Sequence, residues 1–300
     1  MRVAVTGSSG LIGTALVPAL RTDGHQVIRL VRGVPAGADT IAWDPRADGG
    51  GLDPRSLDGV AAVVHLAGAG VAGRRWTESY KAEIRGSRVQ GTTALVSALT
   101  GMTTPPGVLL SASAIGWYGD AGGREVDESS PSGTGFLAGV VRDWEAAAEA
   151  AGRAGIRVVT MRNGLVLSPR GGMLARLLPL FRLGLGGRLG PGTQVMSWIA
   201  LSELVGVIRF LLGRNDISGP VNATTPNPVT NREFTAALAA AVHRPAVLAV
   251  PVLALRAVIG GASGDLLSSA RVLPAKLLAA GYQYQHPDIA GALAAELVAD

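Results

Sequence analysis

Thr6-Gly7-Ser8-Ser9-Gly10-Leu11-Ile12-Gly13 places glycines at i, i+3 and i+6 between a β-branched run and a helically spaced apolar run. Gly7 permits a sharp turn off a strand. Gly10 lets the backbone approach a diphosphate, and Gly13 lets a helix pack closely on a sheet. Amide N–H groups at the helix start, with the helix dipole, attract an anion. In a chain with 42 glycines the spacing alone says little; the strand–turn–helix setting gives it meaning. The alternative is an ordinary tight turn. A dinucleotide site also needs a group for the adenosine ribose at the end of the second strand, where an acid would hold the 2′-hydroxyl of NAD. Arg32 stands there, 19 residues after Gly13, and the first acid beyond it is Asp39. A guanidinium pairs with a 2′-phosphate. The pattern therefore points to NADP(H), the alternative being a solvated surface arginine.

These residues need a scaffold, and the apolar periodicity supplies one. Residues 2–6 read as a strand, 11–21 as a helix and 26–32 as a second buried strand, which together make one βαβ unit. Further strands are expected at 60–66, 107–112 and 156–162, with helices over 76–100 and 136–152 between them. Strands alternating with helices predict an α/β fold: a doubly wound, mostly parallel sheet covered on both faces. After residue 163 the pattern changes. Residues 170–194 are rich in Gly, Leu and Arg, and the glycines at 184, 186, 187, 190 and 192 suggest a loop. Residues 202–213 read as helix and 220–223 as a returning strand. Thr230 and Glu233 form a capping-box signal for a helix over 231–242. Residues 245–300 are expected to form a small helical lobe. The cofactor part is expected to span 1–163 plus about 195–225, and the substrate part about 164–194 and 226–300.

Composition excludes several classes. The chain has no cysteine, so thiol nucleophiles, disulfides and cysteine-based metal sites are absent, and no metal site is expected. The net charge is +5, carried by 25 arginines and only two lysines, Lys81 and Lys276. The arginines are scattered singly and only 13 aromatic residues accompany them, which argues against nucleic acid and for an anionic small ligand. Residues 1–5 have no secretory pattern. The apolar stretch from Ala246 to Ile259 is broken by Pro251 and Arg256 and is too short for a bilayer. A cytoplasmic protein without a membrane or nucleic-acid partner, monomeric or homodimeric, is expected.

TGSSGLIG at 6–13, VVHLAG at 63–68 and SASAIGWYG at 111–119 resemble the extended short-chain dehydrogenases/reductases, nearest the sugar-nucleotide epimerase branch. FLAGVVRDWE at 136–145, MRNGLVLSPRGGML at 161–174, LGLGGRLGPGTQVMSWI at 183–199 and GPVNATTPNPVTNREF at 219–234 resemble one atypical group, the epimerase family with its own C-terminal domain of unknown function. The resemblance implies a Rossmann-type fold with a smaller, mainly helical C-terminal substrate lobe. It also implies NADP(H) binding, with Leu66, Ala67 and Gly68 along the cofactor and Arg162-Asn163 near its nicotinamide end. His65, flanked by apolar residues, reads as a core histidine rather than a catalyst.

The superfamily's usual proton relay is a serine with Tyr-x-x-x-Lys on one helical face, where the lysine cation makes a phenolate accessible. Four residues after Tyr80, Tyr118, Tyr282 and Tyr284 stand Ile84, Gly122, His286 and Asp288, so the chain contains no Tyr-x-x-x-Lys. By resemblance Val140 or Val141 occupies the lysine's place. The serine aligns with Ser113, with Ser111 on the same side of the strand. Arg88 takes the place of a supporting asparagine, either as positive charge beside the site or as a helix-surface arginine. Tyr118 and Glu145 are the replacement candidates, as a catalytic hydroxyl and a base; the alternatives are a tyrosine that packs the cleft mouth and a solvated glutamate. Asp120 and Glu128 are weaker candidates.

Ser8, Ser9, Leu11 and Ile12 join the glycines, Arg32, Arg88, Ser111, Arg162 and Asn163 as expected cofactor contacts. Arg182 and Arg188, on a glycine-hinged loop over 182–194, are expected at the substrate, and Gln194 and Trp198 stand where the resemblance implies contacts to substrate or cofactor. Ala200 and Ser202 stand where the resemblance expects a histidine and an acid, with Glu203 following. Two functions fit these residues: an NADP(H)-dependent oxidoreductase or epimerase-like enzyme, and an NADP(H)-binding redox sensor without turnover.

Overall fold

The computed structural model describes residues 1–35, 37–47, 50–71, 74–250 and 268–298. The apolar stretch expected to reach Ile259, and the start of the expected C-terminal lobe, fall partly outside them. Strands β1 (Arg2–Thr6), β2 (Gln26–Val31), β3 (Thr40–Ala42), β4 (Ala62–His65), β5 (Val108–Ala114), β6 (Glu125–Val126), β7 (Arg157–Asn163), β8 (Leu165–Leu167), β9 (Gly187–Leu189), β10 (Val195–Met196), β11 (Trp198–Ala200), β12 (Gly219–Ala223), β13 (Val229–Thr230), β14 (Leu248–Val250) and β15 (Arg271–Val272) occur in that order. Seven of them make one sheet in the order β12-β7-β5-β4-β1-β2-β3, every pair parallel. The order reverses between β1 and β4, and in such sheets the crevice for a ligand opens beyond the strand ends at that point.

Buried β-branched residues make this sheet. Val3, Val5, Ala62, Val64, Leu110 and Val159 point to one face, which helices α1 (Leu11–Thr22) and α5 (Leu201–Leu212) cover. Ala4, Val63, Leu109 and Val158 point to the other, under α2 (Glu78–Thr100) and α3 (Phe136–Glu149). A second apolar cluster joins α4 (Gly172–Arg182), α6 (Asn231–Ala241) and α8 (Ile289–Val298) through Leu174, Leu178, Phe181, Phe234, Leu238 and Leu293. The short α7 (Ala275–Ala279) places Leu277 in the first cluster. Among the described residues no helix is long and apolar enough to cross a membrane.

The expected elements up to residue 163 form within two or three residues of their expected ends, and the capping box at Thr230 and Glu233 is present. The structure differs after residue 163. Helix α4 occupies the start of the Gly/Leu/Arg-rich stretch because Leu174, Leu178 and Phe181 share one buried face, a spacing obscured by Gly171, Gly172 and Pro179. Strand β9 lies inside the expected loop because β14, some sixty residues on, pairs with it. The C-terminal part also contributes strand: β15 pairs with β6.

Candidate functional site

The glycine turn closes as its spacing requires. Gly7 has φ +65°, and a Cβ there would lie 2.7 Å from the Leu66 carbonyl carbon. A Cβ on Gly13 would lie 2.3 Å from the Gly7 oxygen. The first turn of α1 has no side-chain cap and no acidic residue. Two other helices are capped by side chains, α2 by Thr77 with Glu78 in its first turn and α6 by the Thr230–Glu233 box. Helices α3 and α4 start without a side-chain cap or an acid, as α1 does; what sets α1 apart is the glycine turn that leads into it. At α1 the donors of the first turn have no side-chain acceptor, an arrangement in which helix starts can take an anion.

Arg32 is exposed just past β2, on the edge that carries the turn. Asp39, the first acid after it, lies elsewhere. The Arg29 and Arg21 side chains hold its carboxylate at 3.2 and 2.5 Å, and hydrogen bonding from Arg29 sets it below the usual carboxylate range. Because Arg29 pairs in register with Thr40, Asp39 sits at the level of Ile28 in mid-β2, about four strand residues (roughly 13 Å) from Arg32.

Leu66, Ala67 and Gly68 run off β4 beside Gly7 and are half-buried to exposed. Arg88 is half-buried next to Gly68, donates to the Ala69 and Ile84 carbonyls at 3.0 and 3.1 Å, and stacks on Trp144. Burial lowers its pKa to about 10, so it stays a cation at neutral pH. Asn163 ends β7 beside Ala114, and its Oδ1 is buried without a hydrogen-bond partner. The uncapped turn, the glycine cradle, the exposed arginine and this orphaned acceptor fit the diphosphate, 2′-phosphate and carboxamide of a nicotinamide dinucleotide.

The three residues named as catalytic come together, with Arg162 among them. Ser113 Oγ donates to Glu145 Oε1 at 2.5 Å. The Arg162 fork donates from Nε and Nη2 to the two Glu145 oxygens, both at 2.9 Å, and from Nη1 to Tyr118 Oη at 3.0 Å. Tyr118 donates to Asn222 Oδ1 at 2.7 Å, and the guanidinium lies 3.9 Å over Trp117. Ser113, Tyr118 and Glu145 are each 3 % exposed and Arg162 2 %. Burial pushes Tyr118 up to about 12, against the pull of Arg162. Burial would lower Arg162, but the Glu145 carboxylate outweighs it and the net shift is upward. These hydrogens already have acceptors inside the protein. Glu145, expected as a base or else solvated, is instead a buried ion-pair partner of Arg162.

Other expected residues separate. Ser111 is fully buried on β5, donating weakly to the Ala112 carbonyl. Trp198 is fully buried in the second apolar cluster with its indole N–H on the Asn227 carbonyl, so it is a core residue where a substrate contact was expected. Gln194 is half-buried and donates to the Leu189 carbonyl. Arg182, at the end of α4, and Arg188, on β9, are exposed. Asp120 is exposed and caps Gly122 and Ser269. Glu128 accepts from the Asn222 amide, and burial raises its pKa. Sequence reasoning missed Asn222, which joins Tyr118 to the Leu273 carbonyl; a lone asparagine on a short strand gave no signal.

This geometry defines a dinucleotide-binding α/β protein. The model of the NAD dependent epimerase/dehydratase family matches residues 3–223, and that of a domain of unknown function, DUF1731, matches 250–296. The chain is 47% identical over 294 residues to Epimerase family protein Mb2239 of Mycobacterium bovis, covering 97% of this chain and 96% of that one. It is 38% identical to human Epimerase family protein SDR39U1, covering 98% of each. The crystal structure of the human protein with NADPH matches at TM-score 0.90 and 36% identity, over 98% of each chain. UDP-N-acetylglucosamine 4-epimerase from Bacillus cereus, 18% identical with TM-score 0.77, shares the fold. The chain belongs to the NAD dependent epimerase/dehydratase family.

Proposed function

We propose that this chain binds NADP(H) and acts as an oxidoreductase or epimerase-like enzyme on an anionic small molecule without a Tyr-x-x-x-Lys relay. The observation that carries the reading is the uncapped, acid-free start of α1 beside an exposed Arg32 whose nearest acid in sequence is held elsewhere. The NADPH in the human relative's structure supports it. Residues 1–163 with about 195–225 would form the cofactor part, and 164–194 with 226–300 the substrate part. The turn from Gly7 to Gly13 holds the diphosphate, Arg32 the 2′-phosphate, Leu66–Gly68 the face and Asn163 the carboxamide. Bound there, the nicotinamide supplies hydride transfer. Arg88 adds positive charge, and Arg182 and Arg188 are available to a phosphate or carboxylate. With Ser113 and Tyr118 hydrogen-bonded inside the protein, a proton for a carbonyl substrate comes from water.

One observation favours a second reading, an NADP(H)-binding regulator without turnover: Ser113, Tyr118 and Glu145 are 3 % exposed and bonded to their neighbours. Calorimetry with NADPH and NADH tests the binding. Arg32→Ala is expected to weaken NADPH by about tenfold or more and leave NADH nearly unchanged; equal losses would remove the 2′-phosphate assignment. NADPH absorbance with a panel of anionic carbonyl compounds and sugar nucleotides separates the two readings. Consumption identifies an oxidoreductase, and conversion of a sugar nucleotide to its epimer without consumption identifies an epimerase-like enzyme; tight binding with neither identifies the regulator.

A further inference from the structure

His65 is fully buried between β1 and α2. Its Nδ1 lies 2.7 Å from Thr6 Oγ1 and its Nε2 lies 3.0 Å from Thr92 Oγ1. Distances alone leave its tautomer open, but the surroundings of Thr6 fix it. Thr6 Oγ1 accepts two backbone N–H groups, from Leu66 at 3.0 Å and from Ala67 at 3.2 Å. A hydroxyl has two lone pairs and one hydrogen. With both lone pairs engaged, the Thr6 hydrogen must go to His65 Nδ1. That nitrogen is then an acceptor, so the imidazole hydrogen sits on Nε2 and is donated to Thr92.

The arrangement has a mechanical consequence. Thr6 is the last residue before Gly7, and Leu66-Ala67 is the strip that passes so close to Gly7 that a Cβ would collide with it. The Thr6 oxygen is the pin between these two walls of the cradle. His65 decides which way that pin points, because its ring nitrogen takes the hydroxyl hydrogen and turns the lone pairs toward the strip.

We propose that His65, as the neutral Nε2–H tautomer, is a positioning residue for the dinucleotide: through Thr6 it sets the separation of the glycine turn and the Leu66–Gly68 strip. The inference rests on the proposed NADP(H) binding. Burial lowers the imidazole pKa to about 4, in keeping with a ring that stays neutral where the protein operates.

Two measurements test it. Nitrogen-detected NMR of the wild-type imidazole is expected to show a hydrogen on Nε2 and a bare Nδ1 at neutral pH. Calorimetric NADPH affinity is then compared in four variants. His65→Phe leaves the Thr6 hydrogen without an acceptor, and Thr6→Val removes the pin; each is expected to weaken NADPH by about fivefold or more. His65→Asn keeps an acceptor toward Thr6 and Thr6→Ser keeps the hydroxyl, so both are expected to stay within about twofold of wild type. A purely structural role would lower the melting temperature without this split between the conservative and disruptive pairs. A hydrogen on Nδ1, or unchanged affinity in folded His65→Phe and Thr6→Val, overturns the proposal. Should the disruptive variants not fold, the wild-type tautomer and the conservative pair decide. Wild-type protein that binds neither NADPH nor NADH overturns the functional reading and this inference with it, whereas tight wild-type binding with unaltered variants overturns this inference alone.

Discussion

Arg162 makes three hydrogen bonds in a site closed to water, two of them to Glu145. Removing one partner of such a pair leaves an uncompensated buried charge, whereas the pair itself adds little over an apolar packing. Glu145→Ala is therefore expected to destabilise the protein by about 3–5 kcal/mol, measured by urea unfolding. A loss below about 1 kcal/mol would show that water reaches Arg162. His65 gives a pH dependence of definite sign. Burial lowers its folded pKa to about 4, below the ordinary 6.5 of the unfolded chain. The unfolded state thus takes up a proton first as pH falls. The stability is fully present above pH 6.5 and is lost as pH drops toward the folded value. Between pH 7 and pH 5 this one group removes about 2 kcal/mol, and His65→Asn is expected to flatten that part of the profile. An equal slope in the variant would assign the loss to other groups.

At the scale of elements, the start of α1 is a tightly constrained turn. Gly13→Ala would set a methyl group 2.3 Å from the Gly7 oxygen and 2.6 Å from the Ser8 Cα, both backbone atoms that cannot swing aside. The variant is expected to lose NADPH binding by at least about a hundredfold or to fail to fold. Wild-type affinity would mean that the turn opens freely and is not a preformed cradle. The start of α6 is the opposite case. There the chain satisfies its own donors through the Thr230–Glu233 box, and Thr230→Ala should cost about 1 kcal/mol without changing dinucleotide affinity. These two helix starts show why one was legible as a ligand site and the other as a structural cap. Both signals are local: residue types within three or four positions of each other decide which backbone donors are filled.

At the scale of the molecule, the two apolar clusters are joined by the C-terminal segment. Leu277 and Leu293 are fully buried, one in each cluster. Ser197 bonds to Ala270 and Val272, Asn222 to Leu273, and buried Glu203 accepts from Tyr282 and from the backbone N–H groups of Gln285 and His286. With so many buried polar groups satisfied across the junction, thermal unfolding is expected as one cooperative transition by calorimetry, raised as a whole by saturating NADPH. Two separate transitions, only one of them shifted, would make the parts independent.

The sequence by itself determined the parallel α/β sheet, the glycine turn and the place of Arg32, because period-two and period-3.6 apolar patterns and tight-turn glycines act within a few residues. It also brought Ser113, Tyr118 and Glu145 forward as candidates. Only the tertiary structure decided that these three meet Arg162 in the buried interior, that Trp198 is core, that β9 finds β14, and that Asp39 is drawn to Arg21 and Arg29. Those outcomes depend on which distant groups arrive to fill each donor and acceptor. Chain neighbours carry no record of that choice, so burial and charge pairing across the fold had to settle it.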